Sequence, residues 1–182
     1  MDSNPAENSN SDQSDTIKQK QLYFLNEQLQ SMVRELPPQY QQRLPYELLT
    51  CLAESLLDGT VFSIISNLMD IQHVTEKQLF QQRLSYLRSY SDKVQAVTNG
   101  DLGEEEKAVQ LNTLSARHKE ELKLFDMSII MKLDEKVADQ QRILGLAGVP
   151  GFEVTSDPIK IQLQIRLLDF ILRISQMNLP FN

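Results

Sequence analysis

The sequence is short of almost everything that breaks helices or builds sites. No proline stands between Pro45 and Pro150. Proline removes a backbone donor and clashes with the preceding turn, so its absence permits very long helices. Glycine (6) and proline (7) together fall well below ordinary usage, which disfavours a turn-rich fold. Tryptophan is absent and aromatics make up only 7% of residues, so the core must be built mainly from leucine and isoleucine. A single cysteine excludes an intrachain disulfide and fits a reducing compartment. No apolar run approaches the roughly 18 residues of a membrane span, so no integral membrane segment is expected. The acidic, polar start MDSNPAENSNSDQSD is the reverse of a signal or transit peptide. The chain therefore reads as soluble and intracellular, in nucleus or cytoplasm.

Charge excludes another class. The formal net charge is -7, and residues 1–15 supply -4 of it through Asp2, Glu7, Asp12 and Asp15. With no dense Lys/Arg stripe, the chain is a poor binder of phosphate backbones, and no nucleic-acid partner is expected.

What is present is helical periodicity. Residues 1–15 have almost nothing apolar and are expected to form a disordered acidic tail. Asp15 or Thr16 then caps a helix whose Leu22, Leu25, Leu29, Met32 and Leu36 follow a 3-4 spacing, that of a coiled-coil seam. Pro37-Pro38 end it. Pro45 opens a second helix with a broad face of Leu48, Leu49, Leu52, Leu56 and Leu57, closed by Asp58-Gly59. Residues 16–59 thus form the N-terminal helices.

Residues 60–147 read as an antiparallel coiled-coil hairpin that turns at Asn99-Gly100-Asp101-Leu102-Gly103. Its first arm, capped by Thr60, carries Val61, Ile64, Leu68, Ile71 and Thr75; after a slip in phase, Phe80, Leu84, Leu87, Ser91, Val94 and Thr98 resume the row. Its second arm opens with Glu104-Glu105-Glu106, which suits the positive end of a helix dipole. That arm's row is Leu111, Leu114, His118, Leu122, Phe125, Ile129, Leu133, Val137, Gln140, Leu144 and Ala147. His118 and Gln140 are polar positions in this seam: a placement that either fixes register or partner, or sets each at the seam's edge in reach of water. Residues 148–182 supply a turn, Gly148-Val149-Pro150-Gly151, then a C-terminal apolar helix with Asp157 as cap and Pro158 at its first position. The alternation Ile159, Ile161, Leu163, Ile165, Leu167 is strand-like, but Leu168-Asp169-Phe170-Ile171-Leu172 breaks it. That helix is apolar almost all round. Ile161, Leu163, Ile165, Leu168, Phe170, Ile171 and Leu172 are therefore candidates for a contact surface.

Two stretches resemble a known family. SMVRELPPQYQQRLPYELL, with LLDGTVFSIISNLMDIQHVTEKQLFQQRL, and LDEKVADQQRILGLAGVPGFEVTSDP, with QLQIRLLDFIL, are similar to the gonadal family, which takes in the fly gonadal protein and DiGeorge syndrome critical region protein six. The resemblance covers about Ser31–Leu84 and Leu133–Leu172. It implies a mostly helical protein with a role in gonadal or developmental processes, and it brings no catalytic residues.

Nor do the residues themselves supply chemistry. Asp70, His73 and Glu76 share a helix face, yet the paired Glu-x-x-His motifs of a carboxylate-bundle metal site are missing. Cys51 has no basic neighbour to activate it and reads as a buried structural thiol. Gly145, Gly148 and Gly151 follow a helix rather than a strand, so they are no phosphate loop. No catalytic residue, metal ligand or cofactor is assigned. The fold class is all-α: a long hairpin with N-terminal and C-terminal helices packed along it. The favoured function is a non-enzymatic coiled-coil scaffold that binds protein partners or forms a homo-oligomer. The alternatives are a helical-bundle enzyme or ligand- or metal-binding protein, and a peripheral membrane or cytoskeletal tether.

Overall fold

The computed structural model describes residues 8–177, and side chains from residue 13 on. Six helices follow one another: α1 (Asn8–Arg34), α2 (Pro38–Gln41), α3 (Tyr46–Leu56), α4 (Thr60–Asn99), α5 (Glu104–Leu146) and α6 (Pro158–Ser175). No strand occurs among the described residues, so the alternating stretch at the start of α6 is helix. Asp157 caps α6 by accepting from the Ile159 amide. No single helix among the described residues is long and apolar enough to cross a membrane. Only α3 and α4 taken together would qualify, across an 87° bend.

Two starts differ from expectation. Helix α1 begins at Asn8, inside the stretch read as a disordered tail; residues 1–7 of that tail lie outside the described residues. Once the leucine row fixes a helix, adding a polar turn in front of it needs no new nucleus. At α4, Asp58 and not Thr60 makes the cap, its Oδ1 accepting from the Thr60 amide at 2.9 Å, while Gly59 takes the left-handed φ of +76°.

The chain forms two compact units: residues up to Leu68 together with those from Ala138 onward, and Met69–Val137. Both boundaries fall inside the expected hairpin, because Val61, Ile65 and Leu144 belong to the core of the first unit. That core gathers Leu25, Leu29 and Met32 of α1, Leu49, Leu52 and Leu56 of α3, and Leu167, Phe170, Ile171 and Ile174 of α6. Cys51 is exposed, not buried. The inward stripe of α3 is Leu49, Leu52, Ala53 and Leu56, and Cys51 sits about half a turn from its centre.

In the second unit, contacts between α4 and α5 run in opposite senses. Arg83 meets Asp126, Tyr86 meets Phe125 and Glu121, and Tyr90 meets His118. That order is the one an antiparallel pairing produces. The inward row of α4 is Gln72, Thr75, Leu79, Arg83, Tyr86, Tyr90 and Val94. Successive four-residue steps, Thr75–Leu79–Arg83 and Tyr86–Tyr90–Val94, shift its phase, and Leu84 and Leu87 are half-buried beside it. Phe80, expected in this row, is exposed, and the smaller Leu79 takes the buried place. Leu79 is also the sole buried residue among the described residues of this unit. Ile71, Ser91 and Thr98 of α4, Val137 of α5 and Ala147 just beyond it likewise face outward and not into the seam.

Candidate functional site

The best-organised polar cluster lies in the first unit, where α5 turns back toward α6. The turn uses glycine three times. At the end of α5 the Val149 amide donates to the Leu144 carbonyl and the Gly148 amide to that of Gly145, a paired closure that needs Gly148 at φ +77°. Gly151 has φ +84°, and a Cβ there would stand 2.7 Å from Leu167 Cδ1. A Cβ on Gly145 would meet the Phe152 carbonyl oxygen at 2.9 Å. The three glycines thus let the chain fold tightly onto itself.

Two buried glutamines hold the fold-back in place. Gln141 Nε2 donates to Gln164 Oε1 at 2.9 Å and to the Thr155 carbonyl at 3.5 Å, and its Oε1 accepts from the Thr155 amide at 3.2 Å. Gln164 Nε2 donates to the carbonyls of Glu153 at 2.9 Å and Gly151 at 3.4 Å. Buried amides are stable only when so satisfied. Sequence reasoning placed the polar seam residue at Gln140, which is half-buried, one residue away from Gln141. Spacing alone does not separate the two, because Gln140 stands four residues before the buried Leu144 and Gln141 three. Beside the turn, Leu44, Leu48, Phe152, Leu163 and Leu167 floor an open cleft of about 320 Å³ rimmed by Arg43 and the Lys160–Glu153 ion pair.

The second unit holds a stack of rings. His118 stacks on Tyr90 at 3.6 Å between centroids and on Tyr86 at 5.4 Å, and Tyr86 stacks on Phe125 at 5.1 Å. His118 is half-buried there, and its expected place on the α5 row brings it against α4. Arg83 grips Asp126 with both Nε and Nη2, at 2.9 and 3.1 Å. The Arg117 guanidinium bonded to Glu121 holds that carboxyl below its usual range, and the Tyr86 hydroxyl adds to the effect. Burial, then the Glu121 carboxylate, pushes the Tyr86 hydroxyl up. Asp126 is held low by Arg83. Each shift moves its group further from neutral pH, the reverse of the tuning that general acid-base chemistry requires. These groups act as structural ties.

The candidate contact residues of α6 separate into three kinds. Phe170 and Ile171 are core, because the helix presents that side to α1 and α3. Leu163, Leu168 and Leu172 are half-buried against the core, and Ile161 is half-buried too. Ile165 is exposed, at 48%. Larger apolar exposure lies on α5 of the second unit, where Leu124, Met127, Ile130 and Met131 are all more than half exposed, and Phe80 of α4 is as well. His73 is exposed, Glu76 accepts from Gln72, and no group of three metal-ligating side chains occurs among the described residues.

These features define an all-helical protein with a long helix pair. The chain belongs to the DiGeorge syndrome critical region 6 (DGCR6) protein family, whose pattern matches residues 2–182. It is 41% identical to Gonadal protein gdl of Drosophila melanogaster across 87% of this chain and 82% of that protein. It is 38% identical to Protein DGCR6 of Gallus gallus across 87% of this chain and 86% of that protein. No solved structure matches the chain.

Proposed function

We propose that the protein is a non-enzymatic helical scaffold, working inside the cell in gonadal or developmental processes. One observation carries this reading. The unit Met69–Val137 buries only Leu79 among its described residues, while eight large apolar side chains stand more than half exposed. Ordering each residue costs about 1.5 kcal/mol, and one buried leucine offsets little of that for two helices of this length. Apolar surface left outward in this way is what a partner protein covers. The relative named Gonadal protein supports the setting.

Affinity purification of the full chain with mass spectrometry tests the reading. Stoichiometric recovery of one or a few proteins, lost with Leu124→Glu, supports it. Recovery of the bait alone, from a chain that is also monomeric by itself, counts against it. A tightly bound equivalent of metal would favour the helical-bundle alternative, and sedimentation with liposomes or filaments would favour the tether.

A further inference from the structure

The exposed face of α5 has a definite layout. At about 100° per residue, Leu124, Met127, Ile130 and Met131 fit within an arc of roughly 120°, turned away from the half-buried row of Leu122, Phe125 and Ile129. The Arg83–Asp126 ion pair extends this patch onto α4. Phe80 lies one turn before Arg83 and Ile130 one turn after Asp126, so the pair sets both on the same flank. Together these side chains expose on the order of 600 Å², the upper end of the range for the largest patch on a typical monomer. That approaches the ~800 Å² which each partner contributes to a standard interface.

Charge at the edges of the patch selects the occupant. Lys123 stands at its N-terminal edge and Asp134 at its C-terminal edge, both on the same arc. Neither forms an ion pair among the described residues. We propose that this face receives α5 of a second copy of the chain, packed antiparallel, with Met127 of each copy against Ile130 of the other. In that register Lys123 lies opposite Asp134 of the second copy, and the twofold axis repeats the pair. Glu120, also on this arc, falls opposite Val137 and meets no like charge. A parallel approach would instead set Lys123 on Lys123 and Asp134 on Asp134. The unit carries ten Lys/Arg against twelve Asp/Glu, so two copies approach with little net repulsion. The proposal rests on the scaffold reading and names the partner at its apolar face.

Sedimentation equilibrium of the purified full chain, at concentrations up to about 100 μM, provides the test. The wild-type chain should be a dimer. Met127→Glu/Met131→Glu should be a monomer with unchanged helicity, because both side chains are exposed in the single chain. Lys123→Asp should weaken the dimer at least about tenfold, and adding Asp134→Lys to it should restore the affinity. A monomeric wild type, or a dimer that survives the double glutamate variant, overturns the proposal. So does a Lys123→Asp defect that Asp134→Lys fails to rescue. If the glutamate variant loses helix, the charge-exchanged pair decides alone. A monomeric wild type that captures another protein, and loses it with Met127→Glu/Met131→Glu, ends the second-copy assignment and leaves the scaffold reading standing. Capture that ignores the variant ends both.

Discussion

Gln141 and Gln164, 23 residues apart in the chain, share a buried amide-to-amide hydrogen bond of 2.9 Å. Around that bond the segment from Gly151 to Thr155 finds partners for three carbonyls and one amide. Removing one amide strands its partners. Gln141→Ala and Gln164→Ala should each cost about 1–3 kcal/mol in urea unfolding. The double variant should cost less than the sum, by about 0.5 kcal/mol or more. Strict additivity would show that the two side chains do not act together.

The C-terminal helix offers a sharp contrast. Ile171 is fully buried and Ile165 is 48% exposed, although both are candidates for one contact surface by sequence. Ile171→Ala should cost about 2–5 kcal/mol. Ile165→Ala should stay within about 0.5 kcal/mol. Equal costs would mean that α6 is rotated from the orientation described.

Backbone strain makes Gly151 sensitive. Gly151→Ala combines a φ of +84° with a Cβ 2.7 Å from Leu167 Cδ1, and should cost more than about 1 kcal/mol. Gly103→Ala, where a Cβ meets nothing within 4 Å, serves as the comparison and should be near neutral. Thermal unfolding of the two variants distinguishes them.

Acid should loosen the α4–α5 pair. Asp126 and Glu121 are held below their ordinary pKa in the folded state, chiefly by hydrogen bonds from Arg83 and Arg117. The unfolded chain therefore binds more protons as pH falls, so acid favours unfolding. Their contribution is complete above the ordinary carboxylate range of about 4 and is lost as pH falls through the lower folded values. Circular dichroism during chemical unfolding should show little change in stability due to these pairs between about pH 7 and 5 and a loss below about pH 4. Asp126→Asn and Glu121→Gln together should flatten that acid limb.

Cys51 provides a check on the face of α3. An exposed thiol should react with a disulfide reagent in the native protein as fast as in the unfolded one, to within about tenfold. Reaction that waits for global unfolding would bury it after all.

Much of the fold was legible because helix punctuation is local. Pro45, Gly59, the Asn99–Gly103 break, Gly148 and the Asp157-Pro158 cap all mark real helix boundaries. Which way each helix turns was less legible, because apolar residues outnumber the buried places. Phe80 and Leu79 are neighbours, both suit a seam, and only the partner row decides that Leu79 goes inside. Cys51 was read as buried on hydrophobicity alone, although the stripe of α3 was already complete without it. The glutamine pair was hidden for another reason. Gln141 is buried by a loop and a helix that arrive later in the chain, so no local period of α5 singles it out from Gln140.

The core of the first unit joins distant stretches of chain. Arg173 of α6 reaches Glu35, just beyond α1, across 138 residues of sequence, and Phe170, Ile171 and Ile174 share a cluster with Leu25 and Leu29. During synthesis the leucine row of α1 must therefore wait for α6 to emerge, on the order of ten seconds at ordinary elongation rates. Throughout that delay a completed amphipathic helix has α3 to lean on but lacks one wall of its core. A chaperone that shields apolar helix faces at the ribosome would find its substrate in that interval, and slowing translation after α5 would lengthen its engagement.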